Sequence, residues 1–283
     1  MSAEARAPRR PGRLGRAIPA LLIIGYKDAL AYRGEFLVWM LTMTMPLIML
    51  ALFRAVAADA AAQGGTVGGF DGAAFTAYFL ATLCVRQLAS SWVVWEMNRE
   101  IREGALAMRL LRPLHPLLGY LCDSIAAIPM RALISVPIAL ALLYAIDGPA
   151  GAHLVRDPLG LALFLVSLAL AFLLAFALSA LAGTLALYFE SAIGIWHLYI
   201  GLYGLFSGYL MPLALFPSWL RRLAELTPFP YLQSLPVELL LGRIAPAAAA
   251  RPMAFQLAWT SSALGILLIL WRDAEKRFAA YGG

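Results

Sequence analysis

The sequence predicts an all-α membrane protein of six transmembrane helices, and three observations lead there. Of 283 residues 62% are hydrophobic and only 13% charged, a balance foreign to a water-soluble domain of this size. Six stretches run free, or nearly free, of charge for close to or beyond the roughly 20 residues that carry a helix across the hydrocarbon layer. The 22 basic residues outnumber 16 acidic ones and cluster beside those stretches, which reads as topology and headgroup contact rather than nucleic-acid binding. Cys84 and Cys122 lie 38 residues apart with no CxxC or Cys/His grouping, so they imply neither a disulfide nor a metal site.

In chain order, residues 1–12 form a basic tail and residues 14–33 an amphipathic helix on the inner leaflet. Lys27 and Asp28 interrupt the apolar stretch that begins at Ala17, so the segment does not fit a cleaved signal peptide. The spans are then Phe36 to Phe53 (18 residues), Gly72 to Trp95 (24, with Arg86 inside) and Ser124 to Ile146 (23, with Arg131 inside). Pro158 to Phe189 (32), Ser191 to Leu220 (30) and Pro252 to Trp271 (20) complete the set. The fourth and fifth exceed one crossing, so each extends beyond the hydrocarbon, tilts, or breaks near a glycine. With the amino terminus inside, the inner segments carry 14 Arg or Lys and the outer ones six, four of these in one long loop from Arg221 to Arg251. The positive-inside rule therefore places both termini in the cytoplasm. Residues 1–35 are then a tail and interfacial helix, 36–271 a membrane domain, and 272–283 a cytoplasmic tail.

Several chemistries find no support. The acids sit at span edges and His115, His153 and His197 are scattered, so no titratable site assembles. Gly204-Leu-Phe-Ser207-Gly208 differs by one residue from the GxSG of rhomboid proteases and no histidine follows it, so close helix packing explains it better. Neither lysine, Lys27 nor Lys276, is preceded by glycine, which excludes a P-loop. No acid lies deep in a span, which argues against an ion-coupled carrier or channel, the alternative reading. If transport is driven, another chain supplies the energy.

Between the second and third spans, Glu96 to Leu106 has an amphipathic pattern. Glu96/Arg99 and Arg99/Glu103 are spaced for ion pairs, while Met97, Ile101, Ala105 and Met108 share another face. Gly104 weakens the helix, and Pro113 and Pro116 restrict the chain before it re-enters the membrane.

The stretch from Ile101-Arg-Glu-Gly-Ala-Leu106 through Leu110-Leu-Arg-Pro-Leu114 resembles the cytoplasmic loop of type-2 ABC exporter permeases, in the daunorubicin- or viologen-type multidrug branch. Ala31-Tyr-Arg-Gly-Glu-Phe36, Ser207-Gly-Tyr-Leu-Met-Pro212, Phe216-Pro217, Pro228-Phe-Pro230, Pro236, Gly242 and Trp271-Arg through Tyr281-Gly-Gly283 resemble further pieces of that family in the same order. The resemblance implies a non-catalytic permease subunit that exports a drug-like, lipidic or other amphipathic substrate across a bacterial inner membrane. It implies that residues 14–33 are an elbow helix, about 96–110 a coupling helix, and about 216–242 an external re-entrant segment. Glu96, Arg99, Glu100, Ile101, Arg102, Glu103, Gly104 and Leu106 would then meet an ATP-binding cassette ATPase, present in two copies and holding the ATP and Mg that this chain does not bind. A sister permease or a second copy of the chain would complete the pathway. Arg86, Met43, Ser179, Gly204 and Gly208 are the expected pathway residues. Arg86 stands out because an arginine at mid-span costs about 2.5–3.5 kcal/mol and should face protein or water. Arg131, nearer the inner end, can snorkel or find a partner.

Overall fold

A computed structural model describes residues 14–31, 44–111, 114–148, 154–189 and 193–281. Among these the regular elements are helical; an isolated bridge between Val67 and Phe70 closes the loop before the second span. The helices are α1 (Leu14–Ala31), α2 (Met45–Ala62), α3 (Gly72–Ala89), α4 (Val93–Arg102), α5 (Leu106–Leu110), α6 (Pro116–Ala126) and α7 (Ile128–Asp147). They continue with α8 (Pro158–Leu185), α9 (Ile193–Phe206), α10 (Ser218–Glu225), α11 (Phe229–Leu232), α12 (Ser234–Leu240) and α13 (Pro246–Tyr281).

Five helical stretches are long and apolar enough to cross a membrane: Met45–Ala62, Gly72–Arg102, Pro116–Asp147, Pro158–Leu185 and Pro246–Lys276. The chain is a multi-pass membrane protein. Ile193–Phe206 is equally apolar but has 14 residues. At 1.5 Å per residue it is about 21 Å long, short of the roughly 30 Å hydrocarbon layer.

The charge-delimited boundaries differ from the helices in three places. The first span does not stop at Phe53, because Arg54 is satisfied inside the bundle. Its Nη1 donates to Asp147 (2.7 Å), to Thr76 Oγ1 (2.6 Å) and to the Gly72 carbonyl (3.3 Å), which ties α2, α3 and α7 together at one end. Residues 1–12 and 36–43, including Met43, lie outside the described residues. The third span begins earlier, at Pro116, where His115 caps α6 by accepting from the Leu117 N–H (3.2 Å). The fifth run is not one helix. It breaks at Ser207-Gly208, where Gly208 adopts φ +85° and its carbonyl accepts the buried Tyr78 hydroxyl at 2.8 Å.

The segment from 216 to 242 folds back into the bundle as short helices. Gln233, between α11 and α12, is fully buried. Its Nε2 donates to the Thr82 carbonyl (2.9 Å) and its Oε1 accepts the Tyr203 hydroxyl (2.9 Å). Thr82 lies ten residues into α3, about 15 Å along its axis by helical rise. The central helix is α8, which packs against α3, α4, α12 and α13. Gln256 of α13 donates to the Ser167 carbonyl of α8 (2.9 Å) and the Tyr231 carbonyl of α11 (2.8 Å). Phe53, Phe75 and Phe79 stack in the core with centroids 5.1 and 5.5 Å apart from Phe53. At the other end α1 packs on α6, where a Cβ on Gly25 would come 2.9 Å from that of Ala126.

A side chain at Gly208 would place its Cβ 2.7 Å from the Tyr78 hydroxyl and 3.1 Å from Ser234 Cβ, in a left-handed backbone. Gly208→Ala is therefore expected to cost about 1–3 kcal/mol, read as a lowered melting temperature of the detergent-purified protein. An unchanged melting curve would contradict the required geometry.

Candidate functional site

The segment after α3 is organised by small residues of α8. At the Ser90–Trp92 break the Val94 N–H donates to Ser179 Oγ (3.1 Å), which satisfies one of the open donors at the start of α4. One turn further, Met97 is fully buried against Gly183, where a Cβ would sit 2.8 Å from the methionine sulfur. Ser179 thus holds α4 in place and is itself wholly buried. That is a positioning role within the chain.

The expected helix over 96–110 is two helices. Gly104, at φ +72°, ends α4 and turns the chain into α5. The turn brings Arg109 back over α4. Its Nε donates to both Glu100 oxygens (3.0 and 2.9 Å), and its Nη2 to Glu96 (2.5 Å) and Glu100 (2.8 Å). Its Nη1 reaches Asp123 of α6 at 3.4 Å, and its guanidinium lies 4.1 Å from the Tyr120 ring centroid. Tyr120 closes the knot by donating its hydroxyl to Glu100 at 2.6 Å. Burial alone would lower the Arg109 pKa, but the hydrogen bond to Glu100 and the charge of Glu96 raise it above the ordinary arginine value.

This knot redistributes the sequence-predicted residues. Glu96 and Glu100 turn inward to Arg109 in place of the expected Arg99 pairings. Leu106 is 1% exposed, in a core with Val93, Met97, Leu117 and Trp271, and Ile101 packs against the same core. Leu106 therefore cannot fill a partner's groove. The exposed face carries Arg99, Arg102, Glu103, Gly104 and Ala105, with Met108 66% and Leu111 80% exposed.

Arg86 faces protein, as a mid-span arginine should, and is served there by aromatic rings. Its guanidinium lies 4.5 Å from the Tyr203 centroid and 5.8 Å from that of Tyr209. The Gly208 turn brings Tyr209 to this position, so Arg86 and Gly208 belong to one feature. Gly204 faces only Leu210, 3.8 Å from a Cβ placed there. Two small cavities of about 10 Å³ adjoin Arg86. Ser91 Oγ and Trp196 Nε1 border one of them without a protein partner.

Arg131 is 8% exposed and gives its Nη1 to the Ser90 carbonyl (2.7 Å) and Oγ (3.2 Å). It also borders a larger cleft of about 380 Å³, lined by Trp92, Val93, Trp95, Glu96 and Arg99 of the α4 segment with Asp123 and Ser124 of α6. Sequence reasoning missed Arg109, Tyr120, Tyr199, Tyr203 and Tyr209. The three tyrosines, four and six residues apart near the fifth span, were the available signal.

Long apolar helices with a compact charged knot between two of them define a helical membrane protein. The sequence profile described as ABC-2 family transporter protein matches residues 40–282, and the chain belongs to that family. It is an ABC-2-type permease, the membrane component of a system whose family implies an ATPase partner. No curated protein matches the chain.

Removing one partner of a mostly buried ion cluster leaves uncompensated charge, so Arg109→Met is expected to destabilise by about 3–5 kcal/mol. Arg109→Lys should recover only part, because an ammonium cannot fork across Glu96 and Glu100. Thermal unfolding in detergent measures both. Arg86 behaves differently: a desolvated cation–π contact of about 2 kcal/mol roughly offsets its insertion cost. Arg86→Met should therefore change the melting temperature little, while Tyr203→Leu should lower it clearly by stranding the charge. The reverse order would disprove this account.

Proposed function

We propose that the chain is the permease subunit of an ABC exporter, with six spans, both termini in the cytoplasm, and ATP and Mg held by a separate ATPase. In this reading Ile193–Phe206 is the fifth crossing, shortened because the segment after Gly208 turns back into the bundle. The residues from 216 to 242 cap the pathway from outside. Two permeases, sister chains or identical copies, enclose a route for a drug-like or lipidic amphiphile of the multidrug type.

The observation that carries the proposal is the Arg109 knot, in a chain of this family that lacks an ATP-binding motif. A loop that merely joined two spans would not need three carboxylates and a tyrosine gathered on one arginine. The knot makes α4 and α5 a rigid unit anchored to α8 through Ser179 and Gly183. Motion imposed on its exposed face would then pass to the spans. That face offers Met108 and Leu111 as apolar anchors, with Arg102 and Glu103 exposed just before them in the chain, the composition of a helix-in-groove contact.

The test is co-purification of the permease with its ATPase. Met108→Asp combined with Leu111→Asp should reduce recovery of the ATPase at least tenfold, with melting temperature and membrane insertion unchanged, since both side chains are exposed. Undiminished recovery would remove this surface as the contact.

A further inference from the structure

One of the two small cavities beside Arg86 lies between α3, α9 and the Ser90–Trp92 break, and no carboxylate lines it. Arg86, Ser91, Trp196 and Tyr199 border it, with Ala175 and Ile200 among its apolar neighbours. Ser91 is 6% exposed and Trp196 4% exposed, yet neither Ser91 Oγ nor Trp196 Nε1 has a hydrogen-bond partner in the protein. Polar groups left open in an interior are costly and rare, so a bound species should meet these two. The indole is held in place by stacking on Tyr199, with centroids 4.5 Å and planes 13° apart, and by packing with Val94 and Ala182. The backbone next to Ser91 is pinned as well, because Arg131 donates to the Ser90 carbonyl at 2.7 Å. Among the described residues no carboxylate forms an ion pair with Arg86 or with Arg131. Two guanidinium groups therefore meet the break without an acid, Arg131 at Ser90 and Arg86 at the cavity that Ser91 lines.

We propose that this cavity holds a monatomic anion, chloride under ordinary conditions, which accepts from the Trp196 indole N–H and the Ser91 hydroxyl and offsets part of the Arg86 charge. Hydrogen-bonding capacity decides the class. Arginine and tryptophan side chains only donate, and serine can donate too, so the polar wall calls for an acceptor. A water would accept from the two open groups but would bring two hydrogens of its own to a site already rich in donors. A cation would meet Arg86 with no carboxylate to hold it. Size then narrows the choice, because a volume of about 10 Å³ is room for one water-sized species and excludes a phosphate or an organic acid. The site lies within one chain and does not depend on what the chain transports.

Thermal unfolding of the full-length chain in detergent tests it, with gluconate replaced stepwise by chloride or bromide at constant ionic strength. At about ten times the half-saturating concentration, either halide should raise the melting temperature by about 3 °C over gluconate, and the rise should saturate. Ser91→Ala and Trp196→Phe each remove one donor and should raise the half-saturating chloride concentration about tenfold. Ser91→Ala should melt no lower than the wild type in gluconate, since it removes a polar group that is then unpaired. The rings and the insertion cost of Arg86 balance without the anion, so the melting comparison of Arg86→Met belongs in gluconate, and in chloride that variant should lose the whole halide increment. Broadening of the chloride NMR line by the wild-type chain, relieved by bromide and not by gluconate, gives a second reading that needs no variant. Equal melting in chloride and gluconate, or an unbroadened line, would assign the cavity to water and overturn the proposal. A halide response that survives unchanged in both Ser91→Ala and Trp196→Phe would put the ion elsewhere and overturn it too. The chain is measured without an ATPase, so the result does not bear on the coupling surface.

Discussion

A helix bundle surrounded by hydrocarbon must satisfy its polar groups from within, because no solvent is available to compensate for a misplaced one. In this permease that constraint shapes each departure from simple parallel spans. Arg54 closes on Asp147 and Thr76 at one end, Gln256 bridges two carbonyls beside the central helix, and Gln233 ties the segment between α9 and α13 to the middle of α3 by bonding Thr82, and to α9 by bonding Tyr203. The short ninth helix follows from the same rule. Once the chain turns at Gly208, the freed Gly208 carbonyl is taken by Tyr78.

Arg86 and Arg131 show two solutions to one problem. Both lie in spans and neither pairs with an acid among the described residues. Arg131 sits beside the Ser90–Trp92 interruption, where a carbonyl released from helical bonding can accept from it. Arg86 lies inside an unbroken helix, whose carbonyls are already engaged, so its stabilisation comes from the faces of Tyr203 and Tyr209. The interruption that relieves Arg131 also begins α4, so arginine placement and loop architecture are coupled.

The Arg109 knot links the membrane domain to the surface beyond it. Its three carboxylates come from two helices, and α5 supplies the guanidinium only because Gly104 reverses the chain. Ser179 and Gly183 then lock α4 to α8, one by a hydrogen bond and the other by offering no side chain. Held at these points, α4 is tied to α8 and is no free-standing loop.

Much of this was legible in the sequence. The apolar runs marked a multi-pass helical membrane protein, since hydropathy is a local property and the bilayer thickness sets the length of a span. Pro, Gly and charge spacing marked the segment between the second and third spans as structured, and the length of the fifth run left open a break near some glycine without saying which. What the linear pattern could not supply was which side chains meet. Arg99 looked like the partner of Glu96 and Glu103 because helical spacing is visible in a sequence, while Arg109 won Glu96 and Glu100 through a turn whose direction depends on Gly104 and on the burial of Leu106. The tyrosine faces around Arg86 likewise require α9 to end where Tyr78 and Ser234 leave room only for glycine. Local chemistry determined the helices and their environment; the contacts of charge with charge and of charge with ring arise from packing between distant segments, and only the tertiary structure decided them.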